Sequence, residues 1–115
     1  MPQETAVGSL VTVTDDTFAE LVLASDRPMV VDFWADWCPP CKAIEKSLAE
    51  LAGEFGERMV VAKLNSDENP EATRRYAVMS LPTLLVFRRG EVVGSTVGSR
   101  PKTYLRQILT TQAGL

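Results

Sequence analysis

The chain has 115 residues, 45% of them apolar, and a net charge of −3 at neutral pH. That is enough apolar material for one ordinary domain with a continuous core and no need of metal or disulfide staples. The acidic balance, with basic residues scattered and paired only at Arg74-Arg75 and Arg88-Arg89, argues against nucleic acid as a partner.

About the first seven residues read as a loose polar tail. Leu10 to Thr14 carries β-branched residues and predicts an edge strand. Asp15 or Asp16 then serves as the N-cap of a helix whose inward stripe is Phe18, Leu21 and Val22. Asp26-Arg27-Pro28 breaks that pattern, and Pro28 to Ala35 is apolar and aromatic enough to be a buried central strand. From Cys41 the period changes. Ile44, Leu48, Leu51 and Phe55 follow it at steps of three and four, one apolar face of a helix that closes between Gly53 and Glu57. Met59 to Asn65 is a second buried strand, and Asp67-Glu68-Asn69-Pro70 starts a short helix with Asn69 as cap, ending near Tyr76. Leu84 to Phe87, a turn at Arg89-Gly90, and Glu91 to Val97 form a hairpin. Ser99-Arg100-Pro101 caps a last helix that buries Tyr104, Leu105, Ile108 and Leu109. The order β-α-β-α-β-α-β-β-α, without repeat or linker, predicts a single α/β domain over residues 1–115 with helices on both faces of one sheet.

Histidine is absent and the only two cysteines, Cys38 and Cys41, stand two residues apart at the junction of the central strand and the long helix. Without histidine there are no Cys-His or Ser-His nucleophile pairs, and acid-base work falls to carboxylates, lysine or thiols. A zinc site lacks further soft ligands, so the pair reads as redox-active. Cys41 lies on the inward stripe and Cys38 before it, which predicts unequal exposure: one sulfur reachable, the other held behind it to resolve a mixed disulfide. The helix mouth and Lys42 favour a thiolate at Cys38. Asp32 shares a strand face with Val30 and Trp34, a face that should be dry in a covered central strand. Desolvation there would raise its pKa and suit it to take the proton of Cys41. Lys63, the one charge in the second buried run, either lies across from Asp32 or snorkels to the sheet end.

The stretches Val31-Asp32-Phe33-Trp34-Ala35, Val61-Ala62-Lys63-Leu64-Asn65 with Asp67 and Asn69-Pro70, Leu81-Pro82-Thr83-Leu84, and Gly90-Glu91 with Val97-Gly98 resemble the thioredoxin family in order and spacing from about residue 10 onward. The resemblance implies a mixed five-stranded sheet flanked by four helices and a protein disulfide reductase that binds no cofactor and cycles a Cys38-Cys41 disulfide. Cys38 would attack, Cys41 resolve, Asp32 act as base and Lys63 tune it. Trp37, Pro39 and Pro40 would border the exposed sulfur. Pro82 would follow a cis peptide bond that presents Leu81 to a client chain, with Val78, Met79 and Gly98 completing an apolar docking surface. Electrons would come from a flavin-containing, NADPH-dependent thioredoxin reductase, and clients would include ribonucleotide reductase, methionine sulfoxide reductase or peroxiredoxins. No signal-like N-terminal segment and no apolar run of membrane-spanning length is present in the sequence, so the expectation is a cytoplasmic monomer.

Three departures from the family pattern stand out: Pro39 where glycine is commonest, Lys46 near a usual kinking proline, and Ser80 at a position often small and flexible. Lys46 should give a straighter helix. Pro39 lacks an N-H and precedes another proline, so it is expected extended or slightly strained. Fewer donors would raise the Cys38 pKa, while a stiffer turn favours either dithiol or disulfide. Two other readings share these residues: the same fold run as an oxidant or isomerase, and a redox-silent module that binds partners in the groove around Trp37 and Pro82.

Overall fold

In the computed structural model, which describes residues 10–115, alternating buried strands assemble one five-stranded mixed sheet in the order β1-β3-β2-β4-β5. The expected N-terminal tail lies outside the described residues. The strands are β1 (Val11–Thr12), β2 (Met29–Trp34), β3 (Val60–Asn65), β4 (Thr83–Arg88) and β5 (Glu91–Val97). β3 runs parallel to both β1 and β2, whereas β4 is antiparallel to β2 and β5. β2, flanked on both sides, is buried from Met29 to Phe33, as a doubly covered strand must be. β1 is shorter than the β-branched run suggests, because Thr14 and Thr17 bond each other's backbone and turn the chain.

Helices α1 (Pro39–Phe55) and α3 (Lys102–Gln112) cover one face, and α2 (Pro70–Arg75) with a π-helical turn (Ala19–Leu23) covers the other. The first layer packs Ile44, Leu48, Leu51 and Phe55 with Leu105 and Leu109 onto Val30, Val61, Leu84 and Val86. The second packs Phe18, Val22 and Ala72 onto Val31, Phe33, Leu64 and Phe87, with Phe18, Tyr76 and Phe87 stacked edge-on or tilted at 5.2–5.7 Å. Outside the core, Glu54 of α1 holds Arg106 at 2.8 Å and Lys102 at 3.0 Å on α3.

Capping differs from the local reading in three places. Asp15 does not cap the turn that follows it, whose N-cap residue, Phe18, makes no side-chain capping bond. Its carboxylate instead accepts the N-H groups of Glu71 (3.0 Å) and Ala72 (2.8 Å) at the start of α2. Asn69, expected in that role, accepts the Asp15 N-H at 2.8 Å and donates to the Asn65 carbonyl at 2.9 Å. The exchange ties the β1 loop to α2 while satisfying orphan donors on both sides. Among the described residues no side chain caps α3; the Pro101 carbonyl accepts the Leu105 N-H at 3.0 Å. Tyr104 is exposed rather than buried, set off the Leu105/Leu109 stripe with the Arg100 guanidinium 5.6 Å over its ring. The Arg89-Gly90 turn has φ of 52° and 82°, the left-handed pair that a tight hairpin requires.

Candidate functional site

The end of β2 delivers the chain to the mouth of α1, and the two cysteines close a disulfide there. Cys38 is the N-cap in an extended conformation, and its sulfur accepts the Cys41 N-H at 3.2 Å while its carbonyl accepts the Cys41 and Lys42 N-H groups at 3.1 and 3.3 Å. Pro39 and Pro40 occupy the first two helical positions and are exposed. Pro39 is therefore helical rather than extended. Its ring already fixes φ near the helical value, and a first-turn residue has no use for an N-H.

The expected difference in exposure between the sulfur-bearing residues is not found: Cys38 is 3% and Cys41 2% exposed. Cys38 sits in a small apolar cluster with Ala35 and Cys41 against Trp34 and Leu81. What distinguishes them is backbone position, one before the helix and one on its buried stripe. Trp37, 67% exposed, stands beside them and donates from Nε1 to Asp67 Oδ2 at 2.7 Å. The Leu81-Pro82 peptide is cis, and the Pro82 carbonyl accepts the Gly98 N-H at 2.9 Å. Leu81 packs against the Cys38-Cys41 cluster, and Gly98 is tied to the next residue, Pro82, by that hydrogen bond. Val78 and Met79 line a hollow of about 220 Å³ with Ser80, Thr83, Ser95 and Val97, where Val78 packs on the α2-side core and Met79 is exposed.

Behind the disulfide, Asp32 is buried on the α1 face of β2, and its Oδ1 has no hydrogen-bond partner among the described residues. A small cavity of about 10 Å³ is walled by Asp32, Trp34, Cys41, Lys42, Glu45 and Lys63, so that Asp32 and Cys41 line the same space. Burial pushes the Asp32 carboxyl up from 3.8 to about 7; the Glu45 charge adds to the rise and Lys63 opposes it. Lys63 is the direct neighbour of Asp32 across the parallel strands. Its ammonium nevertheless turns outward, 3.8 Å from Glu45 Oε2 and 5.4 Å over the Trp34 ring, which combines the two placements the sequence left open. Glu45 and Asp67 went unassigned in the sequence. Glu45 stands one turn after Cys41 on the same helix, a spacing that by itself assigns it no role.

A dithiol at a helix mouth, backed by a buried carboxyl of raised pKa and faced by a cis-proline loop, is equipped for thiol-disulfide exchange. The thioredoxin family model matches residues 9–111. The chain belongs to the thioredoxin family. It is 51% identical to the thioredoxin of Streptomyces clavuligerus over 98 residues, 85% of this chain and 91% of that protein. It is 55% identical to the thioredoxin of Thiocapsa roseopersicina over 84 residues, 73% and 92% of the two chains, and 45% identical to thioredoxin 1 of Nostoc sp. over 97 residues, 84% and 91%. The protein is accordingly a thiol-disulfide oxidoreductase with a thioredoxin fold. Thioredoxins work through their own disulfide, act on disulfide-bearing clients and are reduced by a thioredoxin reductase. Among the described residues no helix is long and apolar enough to cross a membrane.

Proposed function

We propose that the protein is a protein disulfide reductase, a single thioredoxin domain over residues 1–115 with a Cys-Pro-Pro-Cys active site. The observation that carries this reading is the Cys38-Cys41 disulfide set in the first turn of α1 with Asp32 on the cavity behind it. In the reduced protein the Cys38 thiolate attacks a client disulfide, forming a Cys38-client bond and expelling one client thiolate. Cys41 then passes its proton to Asp32 and attacks Cys38, closing the intramolecular disulfide and releasing the second client thiolate. Two electrons reach the client, the dithiol is oxidised, and the two thiolates take up protons.

The Cys38 thiolate is favoured by the N-terminal end of α1 and by the Cys41 N-H, which already points at its sulfur at 3.2 Å. Asp32, at about 7, can hold or release a proton at neutral pH, as a general base must. Lys63 tunes it. Trp37, Pro39 and Pro40 form one lip of the client site, and Leu81, Pro82 and Gly98 form the other, the Leu81 backbone pairing with an extended client chain. Val78 and Met79 extend this surface along the neighbouring hollow. The protein takes electrons from a flavin-containing, NADPH-dependent thioredoxin reductase, works as a monomer in the cytoplasm, and serves clients such as ribonucleotide reductase, methionine sulfoxide reductase or peroxiredoxins.

The test is the reduction of insulin by dithiothreitol or by NADPH with reductase. Catalytic amounts of the protein should accelerate it, and Cys38→Ser should abolish the acceleration. No acceleration by the wild-type chain would overturn the reading.

A further inference from the structure

Lys63 and Asp32 are register partners on adjacent parallel strands, the arrangement in which a lysine would be expected to neutralise a buried carboxylate. It does not do so. The Lys63 ammonium pairs with Glu45, 3.8 Å away, and lies against the Trp34 ring at 5.4 Å, while Asp32 Oδ1 stays buried and unpartnered among the described residues. Glu45 projects from α1 one turn beyond Cys41, on the wall of the cavity that Asp32 and Cys41 share.

We propose that Glu45 is a positioning residue of the dithiol site: its carboxylate draws the Lys63 ammonium to the rim, away from Asp32, so that the Asp32 carboxyl keeps its affinity for the Cys41 proton.

The groups facing Asp32 are few. From α1 come Cys41, Lys42 and Glu45, and from β3 comes Lys63; its β4 neighbour is Leu84, which carries no charge. Lys42 is also turned to the indole, 5.9 Å over the Trp34 ring, so both ammonium groups lie against the Trp34 face, and Lys63 beside the Glu45 carboxylate as well. A cation allowed to swing inward would favour the ionised form of Asp32 and weaken it as a proton acceptor. An anion at the rim acts in the opposite sense twice, by holding Lys63 and by its own repulsion of a second negative charge. After burial, the Glu45 charge is the larger influence raising Asp32, ahead of the lowering influence of Lys63.

The inference rests on the proposed role of Asp32 as the base, and two measurements separate the two ideas. The first is the titration of the Asp32 carboxyl in the oxidised protein, followed by carbon NMR, which needs no turnover. In Glu45→Gln the midpoint should move to lower pH by about half a unit to one unit, and in Glu45→Lys further. Because Glu45 is exposed, both variants should fold. A midpoint unchanged or raised in these variants would overturn the proposal, whatever Asp32 does in exchange. The second is the pH profile for resolution of a Cys38 mixed disulfide. With Asp32 as base, its rising limb should follow the carboxyl midpoint downward in Glu45→Gln and vanish in Asp32→Asn. A limb that persists in Asp32→Asn removes the base role and leaves the NMR result to decide the Glu45 coupling alone.

Discussion

Replacing Asp32 by Asn should make the protein more stable, by an amount that depends on pH. The carboxyl sits at about 7 in the folded chain against 3.8 ordinarily, chiefly because it is buried. Below the ordinary value both the folded and unfolded chains hold the proton, and burial costs the wild type nothing extra. As the pH rises the unfolded chain releases its proton first, so stability falls through the window from about 4 to 7 and stays low above it. The rise from 3.8 to about 7, at 1.36 kcal/mol for each tenfold change in proton affinity, comes to about 4 kcal/mol. Some 2–3 kcal/mol of this, roughly, should develop between pH 5 and pH 8. Asn fills nearly the same volume and does not titrate there. Urea unfolding of both oxidised proteins at several pH values isolates the effect, because every other group is common to the pair. The stability of Asp32→Asn relative to wild type should climb steadily with pH. A difference constant to within about 0.5 kcal/mol over that range would refute the claim that Asp32 is a buried, readily protonated carboxyl.

Other outcomes follow from the same geometry. Cys41→Ser should accumulate mixed disulfides through Cys38, resolvable by non-reducing electrophoresis and mass spectrometry, whereas Cys38→Ser should accumulate none; the reverse pattern would exchange the two roles. Asp32→Ala should slow exchange more at neutral than at alkaline pH, where hydroxide can deprotonate Cys41 directly, and a pH-independent loss would exclude a base. Asp15→Ala should cost about 1 kcal/mol in urea unfolding, since it strips from α2 the only side-chain cap found among the described residues. A Cβ at Gly94 would run into the side chain of Gln112 on α3. That side chain is the flexible end of a glutamine and can swing aside, so Gly94→Ala should change the urea-unfolding stability by less than about 0.5 kcal/mol.

Much of the fold was legible because its signals are local. The β-branched and aromatic run of β2, the three-and-four spacing of Ile44, Leu48, Leu51 and Phe55, and the Arg89-Gly90 turn each fix an element without help from the rest of the chain. The capping errors have the opposite cause. Asp15 and Asn69 both carry the right chemistry for their adjoining helices, yet Asp15 caps a helix 56 residues away, and no local rule reports such a partner. Tyr104 was assigned inward because its neighbours set a loose stripe, but only Leu105 and Leu109 point fully at the sheet.

The site divides in the same way. The cysteine spacing and the polar interruption of β2 at Asp32 are visible in the residues themselves, and the structure puts Asp32 and Cys41 on one cavity. The cis bond before Pro82 came only through the family resemblance, since Leu81-Pro82-Thr83 alone reads as a turn. The near-equal burial of Cys38 and Cys41 was not legible, because Cys38 is covered by Ala35, Trp34 and Leu81 and helical phase describes only the helix's own faces. Glu45 gave no signal because an acid on the exposed flank of a helix usually faces only water. Its significance comes from where Lys63 turns.

The central claim is that Cys38 and Cys41 form a reducing couple, and the equilibrium of that couple with glutathione tests it most directly. Thioredoxins lie at about −270 mV and strong oxidants of the same motif at about −120 mV. The account predicts a potential on the reducing side of about −230 mV for this protein. A value at or above about −180 mV would contradict it and make the chain an oxidant or isomerase.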